Sequence, residues 1–228
     1  MQHQQSWYNI KMLVKSFGCS FIFGTDLPDQ VDPAVHSQLT WPAVFSQQQG
    51  YYYRCYAQGG IGNLSIADRV LEEVAQDVTA LFIIGWTWID RFDYINENQT
   101  WSTIRPGSDS DLSTTSYREL HSEARDKLTS LMAIRTVIDS LRARAFPFIM
   151  TYQDELLLDR KYNATPAIRA LQDYVESYMT RFEGQTFLNW SRSKGYPESP
   201  GWHPLEQAHS AAADVIIQSF DKQNTNDH

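Results

Sequence analysis

Lys15-Ser16-Phe17-Gly18-Cys19-Ser20-Phe21-Ile22-Phe23-Gly24 continues an apolar run that begins at Ile10. Ile10–Phe17 has the length and composition of a buried strand, and Gly18 permits a tight turn at its carboxyl end. A serine placed there sits where the open sheets of α/β proteins hold ligands and reactive groups. The turn can lift Ser20 out of the backbone as a nucleophile elbow does. Gly-x-Ser also serves as a plain turn, so a base and an oxyanion site further along the chain must decide between the two.

Further strands are expected at Tyr51–Ala57, introduced by Gly50, at Ala80–Gly85 and at Phe146–Thr151. Thr40-Trp41-Pro42 opens a short helix through about Gln48, with Pro42 suited to its first turn. Asn63 can cap a helix to about Gln76, whose Ile66, Val70, Leu71 and Val74 share one face. Ser116 to Arg144 reads as one long helical pattern through Leu120, Leu128, Leu131, Ile134, Ile138 and Leu141. Another helix is expected from about Pro166 to Phe182, and a last one from Pro204 to near Phe220. Residues 96–113 read as an inserted polar loop, 184–201 as loop-rich and 221–228 as a polar tail. Strands alternating with helices predict an α/β fold, a mainly parallel sheet between helical layers, in one domain over residues 1–228.

The 228 residues are 42% hydrophobic and 13% aromatic, a composition that folds rather than stays disordered. With 27 acidic and 19 basic side chains the net charge is -8, and no basic cluster offsets it, which argues against nucleic acid as a partner. Cys19 and Cys55 are too few for a disulfide framework or a zinc site, and two reduced thiols are expected. His36 and His121 have no partner spacing that points to a metal. No apolar run approaches the ~20 residues of a membrane span. Met1-Gln2-His3-Gln4-Gln5-Ser6-Trp7 lacks the basic start and apolar core of a signal peptide.

Three later segments carry chemistry. Gly59-Gly60-Ile61-Gly62-Asn63 joins a strand to a helix, where backbone amides can approach a developing oxyanion. Gly85-Trp86-Thr87-Trp88-Ile89-Asp90-Arg91 follows another strand. Gly201-Trp202-His203-Pro204 precedes the final helix, and His203 there can converge on Ser20 as a general base.

Together these segments resemble the SGNH/GDSL hydrolase family, whose blocks supply a serine, a glycine, an asparagine and a histidine in that order. Gly18-Cys19-Ser20 matches the Gly-Asp-Ser block, and Gly60 the second-block glycine. Gly85-Trp86-Thr87-Trp88 occupies the Gly-x-Asn-Asp block, and Pro200-Gly201-Trp202-His203-Pro204 the Asp-x-x-His-Pro block. His209 fits a second histidine often found six residues later. More narrowly, Gly-Cys-Ser-Phe, the Trp-Pro helix and Ile-Ile-Gly-Trp-Thr followed by an arginine resemble a branch found in tailed-phage genomes.

The resemblance implies a three-layer, flavodoxin-like fold and a serine esterase acting on ester bonds, with O-acetylated carbohydrate as the first substrate class. No metal or organic cofactor is implied, and neither nucleic acid nor membrane is an expected partner. Ser20 would be the nucleophile and His203 the base, with the amides of Ser20 and Gly60, and the Thr87 hydroxyl, around the oxyanion. Two departures weigh on activity. Thr87 replaces the family asparagine, and loss of one oxyanion donor typically costs ~10²–10³ in turnover. Pro200 replaces the acid that orients the histidine, a loss of ~10⁴ in serine hydrolases.

Glu198, Glu206 or a backbone carbonyl are the candidate substitutes, although Glu206 also suits a capping box at the start of the last helix. Trp86, Trp88, Arg91 and Trp202 are candidate substrate contacts; packing is the alternative for the tryptophans and a local ion pair for Arg91. The competing reading is a catalytically weak or inactive module that keeps the fold, a glycan binder or a component of a phage particle assembled with other virion proteins. If viral, the chain would act in the virion or the host cytoplasm.

Overall fold

The computed structural model describes residues 11–226, with side chains through residue 220; the segment Met1–Trp7 considered above lies outside it. In chain order the elements are β1 (Leu13–Gly18), α1 (Ser20–Phe23), α2 (Trp41–Gln48), β2 (Tyr52–Cys55), α3 (Asn63–Ala75), β3 (Leu81–Trp86), β4 (Phe92–Ile95), β5 (Trp101–Ile104) and α4 (Asp111–Glu119). They continue with α5 (Glu123–Ala143), β6 (Phe148–Tyr152), α6 (Pro166–Glu176), α7 (Phe187–Ser193) and α8 (Glu206–Asn226). Four strands pair in the order β2-β1-β3-β6, all parallel, and β4 and β5 form a separate antiparallel hairpin.

The sheet is covered on both faces, and the period-two alternation of its strands explains how. Phe17, Phe82 and Ile84 point into a core shared with Ile66 and Val70 of α3, Leu131 and Ile134 of α5, and Val175 of α6. Val14, Leu81 and Ile83 point the other way, onto Trp41 and Phe45 of α2, Trp190 of α7, and Ala212 and Ile216 of α8. Burying each large apolar side chain contributes ~1.5–3 kcal/mol. The result is the α/β architecture expected from the alternation of elements, with a parallel central sheet and flanking helices.

Lys15 is the one charged side chain buried within β1 and β3. It is buried on the α3 side, where its Nζ lies 2.9 Å from Glu73 Oε2 and 5.5 Å from the Phe82 ring centroid. A buried charge needs such a partner, and the pair ties α3 to the strand that leads into Ser20.

Several boundaries differ from the sequence expectation, each for a local reason. The long pattern from Ser116 to Arg144 splits into α4 and α5 because Ser122 caps a new helix, its hydroxyl accepting from Arg125 N–H at 3.4 Å. The helix expected to reach Phe182 ends at Glu176, since Thr180 N–H donates to Met150 O at 2.7 Å and draws the chain onto the edge of β6. Residues 96–113, expected to be irregular, carry β5 and the start of α4, which Ser110 caps. The loop-rich stretch 184–201 contains α7, capped by Thr186. Helix α8 continues into the expected tail as far as Asn226.

Candidate active site

Ser20 opens α1 immediately beyond the carboxyl end of β1, and 7% of its surface remains exposed. His203 arrives from the loop before α8. Its Nε2 lies 2.9 Å from Ser20 Oγ, a distance at which the neutral ring can accept the hydroxyl proton. That tautomer places the ring proton on Nδ1, which donates to Asp26 Oδ2 at 2.7 Å. The Phe21 ring packs edge-on against the imidazole with centroids 5.4 Å apart.

Asp26 also accepts from Ser199 Oγ at 2.6 Å, and the two bonds, Ser199 first and His203 second, hold its carboxyl below the ordinary range. An ionised Asp26 can fix the ring orientation and stabilise the imidazolium formed during proton transfer. The backbone is bent to make this contact. Asp26 has φ 69° and Trp202 has φ 64°, left-handed conformations that are uncommon outside glycine. A side chain on Gly201 would place its Cβ 2.7 Å from Asp26 Oδ2 and 3.2 Å from His203 Nδ1, so it would push the carboxylate and the imidazole out of place.

Neither glutamate named from the sequence fills this position. Glu198 makes a bidentate pair with Arg192, at 2.8 and 3.1 Å, and Glu206 lies exposed in the first turn of α8. The orienting carboxylate comes instead from six positions after Ser20, on the loop that follows α1. Gly24-Thr25-Asp26 belongs to none of the four family blocks. Its proximity to Ser20 in the chain was the one sequence signal available, and Asp29 shared it. Asp29 turns the other way and accepts from Gln38 N–H at 2.7 Å.

Gly60 lies on the loop between β2 and α3 with φ 83° and lines the same cleft as Ser20 and His203. Among the described residues neither the Ser20 nor the Gly60 amide donates to a protein acceptor, which leaves both free for an oxyanion. The loop is anchored from below. Asp93 accepts from the amides of Gly62 and Ser65, each at 3.0 Å, and from Thr103 Oγ1 at 2.5 Å. Burial raises the Asp93 carboxyl despite these bonds.

Thr87 does not reach the cleft. It is fully buried; its amide donates to Asn63 Oδ1 at 2.8 Å and its carbonyl accepts from Asn63 Nδ2 at 3.2 Å. Asn63, expected to cap α3, is instead the first residue of that helix, with Gly62 before it. Its amide side chain ties the β2–α3 loop to the end of β3. The oxyanion role expected of the Thr87 hydroxyl therefore fails.

Of the expected substrate contacts, Trp86 is fully buried in the core and cannot touch a ligand. Trp88, Arg91 and Trp202 do line the cleft, a depression of about 840 Å³. Arg91 stacks on Trp88 at 4.9 Å and donates to Ile61 O at 2.8 Å. Trp202 is 69% exposed and lies under the Arg192 guanidinium at 5.5 Å. Arg105, which the sequence did not single out, lines the cleft as well.

His209 is structural. It is buried at the start of α8, where Nδ1 accepts from Trp41 N–H at 3.1 Å and the ring packs 4.9 Å from Phe187. Burial pulls its pKa down to about 3, so the ring is neutral. Both cysteines are free; Cys19 is buried and Cys55 half-buried, where burial raises its thiol. Among the described residues no group of three His, Cys, Asp or Glu side chains is placed to hold a metal, and no helix is long and apolar enough to cross a membrane.

No family model matches the chain, and no curated protein matches it in sequence. Solved structures do. A lipolytic protein of the G-D-S-L family from Veillonella parvula superposes with TM-score 0.53 at 12% identity, over 92% of this chain and 98% of that one. An acetyl xylan esterase from the rumen bacterium Butyrivibrio proteoclasticus gives 0.53 at 12%, over 94% of this chain and 64% of that one. A carbohydrate esterase family 2 enzyme with a carbohydrate-binding domain, from Corynascus thermopiles (Myceliophthora fergusii), gives 0.54 at 12%, over 92% of this chain and 65% of that one. This chain thus spans less than two thirds of the length of those two esterases. At such identities the likeness is one of fold: the chain has the α/β architecture shared by G-D-S-L lipolytic proteins and carbohydrate esterases.

Proposed function

We propose that the protein is a serine esterase of the SGNH type that removes small acyl groups, acetyl first among them, from carbohydrate. The observation that carries this reading is the relay Ser20 Oγ, His203 Nε2 at 2.9 Å and, from His203 Nδ1, Asp26 Oδ2 at 2.7 Å. Ser20 attacks the ester carbonyl as His203 takes its proton. The amides of Ser20 and Gly60 hold the oxyanion, and His203 then gives the proton to the departing sugar oxygen, which leaves as the free hydroxyl. Water, deprotonated by the same imidazole, releases the acyl group as a carboxylic acid and restores Ser20. Trp88 and Trp202, on the walls of the cleft, offer faces for a sugar ring.

The non-catalytic alternative drew its force from two replacements, Thr87 and Pro200. Asp26 compensates the second. For the first, two amides remain, a depleted but workable oxyanion site. The tailed-phage resemblance enters this reading as a sequence argument alone, carried by Gly-Cys-Ser-Phe and Ile-Ile-Gly-Trp-Thr. The deciding experiment measures acetate release from acetylated xylan and from 4-nitrophenyl acetate by the native protein and by Ser20→Ala. A native rate well above that of Ser20→Ala supports the esterase; equal rates on both substrates overturn it.

A further inference from the structure

Two arginines of the cleft, Arg91 and Arg105, flank the loop that carries Gly60. Arg91 immediately precedes β4 and Arg105 immediately follows β5. The hairpin register pairs Phe92 with Ile104, so one step further Arg91 and Arg105 stand opposite each other at its base.

The two side chains also converge on consecutive residues of the loop that carries the oxyanion amide. Arg91 Nη1 donates to Ile61 O at 2.8 Å, while Arg105 Nη1 lies 3.4 Å from the position a Cβ on Gly60 would take. Among the described residues, no carboxylate pairs with either guanidinium. Among the described residues Arg105 hydrogen-bonds through its backbone carbonyl alone, which accepts from Ser113 Oγ at 3.1 Å and from Ser108 N–H at 3.3 Å. The third guanidinium of the cleft, Arg192, is by contrast neutralised by Glu198.

Among the described residues that line the cleft there is one acid. Asp90 lines the same cleft, and burial first and the neighbouring Asp154 second raise its carboxyl, while Arg91 lowers it. A single half-buried acid does not balance two guanidiniums, in a chain whose overall charge is -8. Planar guanidinium forks match a carboxylate in geometry as well as charge.

Resting on the esterase reading above, we propose that the cleft is selective for O-acylated acidic sugars, with Arg105 and Arg91 binding a carboxylate on the sugar side of the scissile ester, next to Gly60. Arg105 is the principal contact, because Arg91 is already committed to Ile61 and Trp88. The carboxylate fixes the sugar while the ester carbonyl meets Ser20.

The test compares acetyl release from acetylated glucuronic acid and from acetylated glucose by the native protein and by Arg105→Gln, an exposed position whose side chain makes no hydrogen bond among the described residues. The native protein prefers the acidic sugar, and Arg105→Gln raises KM for it by about 10- to 100-fold, the range of a lost charge-assisted bond. Its kcat on that sugar, and both constants on acetylated glucose, stay within about threefold. An equal fall in kcat on both sugars overturns the proposal and makes Arg105 an oxyanion donor instead. Dependence on Arg105 that appears with mono(4-nitrophenyl) succinate and not with the acidic sugar overturns the sugar-side assignment.

Binding separates this proposal from the esterase reading. Quenching of tryptophan fluorescence in Ser20→Ala is titrated with glucuronate and with glucose. Glucuronate binding that Arg105→Gln abolishes upholds the anion site even if no ester is cleaved, whereas glucuronate bound no more tightly than glucose overturns it even in an active esterase.

Discussion

His203 Nδ1 lies 2.7 Å from Asp26 Oδ2, although the two residues are 177 positions apart in the chain. In the family pattern the acid stands three residues before the histidine; here Pro200 occupies that place, and the carboxylate is supplied from the serine side of the cleft. The first prediction follows from this exchange. Asp26→Asn lowers kcat/KM for a small acetate ester by about 10³- to 10⁴-fold, as loss of the orienting acid does in serine hydrolases generally. Glu198→Gln and Glu206→Gln each stay within about threefold. Steady-state kinetics on the three variants, with thermal melts to verify folding, separate these outcomes, and a loss confined to Glu198→Gln would return the role to that residue.

Ser199 tunes this acid. Its hydroxyl is the largest influence holding the Asp26 carboxyl below its ordinary range, and the site requires that carboxyl ionised. Removing the hydrogen bond in Ser199→Ala raises the carboxyl, so the titration of the Asp26 side-chain carboxyl carbon, followed by NMR, moves to higher pH. The sign is definite: a bond to the charged form favours that form, and its loss favours protonation. An unmoved carboxyl titration would show that the Ser199 hydroxyl does not set the acidity of Asp26.

His209 makes stability depend on pH. Its ordinary pKa is 6.5, and burial lowers the folded value to about 3. Between these values the unfolded chain binds a proton that the folded chain does not, so the stabilisation is complete above about pH 6.5 and is lost progressively as pH falls toward 3. His209→Asn, which keeps an acceptor for Trp41 N–H, removes that dependence. Urea midpoints measured from pH 4 to pH 7 should rise more steeply in the native protein than in the variant; parallel curves would refute the assignment.

Gly201 tests the geometry alone. A methyl group there meets the Asp26 carboxylate at 2.7 Å, and the exposed loop has room to yield. Gly201→Ala therefore costs little in thermal stability while displacing acid and imidazole from each other. Displacements of about 1 Å in a catalytic group cost on the order of 10²-fold, and the variant's kcat should fall by that order. A fully active Gly201→Ala would mean that the contact between Asp26 and His203 tolerates rearrangement.

The fold was legible because its signals are repeated and local. Val14, Phe17, Leu81, Phe82, Ile83 and Ile84 announce buried strands by composition alone, and the helices between them follow from apolar spacing and caps. Residue order also brought Ser20, Gly60 and His203 into one cleft. Asp26 was not legible, since its role depends on a left-handed backbone and on the fold bringing the loop before α8 against it. The same holds for Thr87, whose backbone is tied to the Asn63 side chain of another element and whose hydroxyl is buried. Arg105 needed the hairpin register, in a segment whose polar composition gave no strand signal.

Ser20 and Asp26 belong to one seven-residue stretch, and His203 is the only member of the relay delivered from elsewhere. Its loop rests on the Ser199–Asp26 bond and on the bridge between Glu198 and Pro204. Lifting that loop by a few ångströms would break the contact to serine and the contact to aspartate in the same movement. Such a movement would switch the molecule between a competent and an incompetent form. Turnover would scale with the fraction of time the loop is docked, so residues that never touch substrate could set the rate by shifting that population.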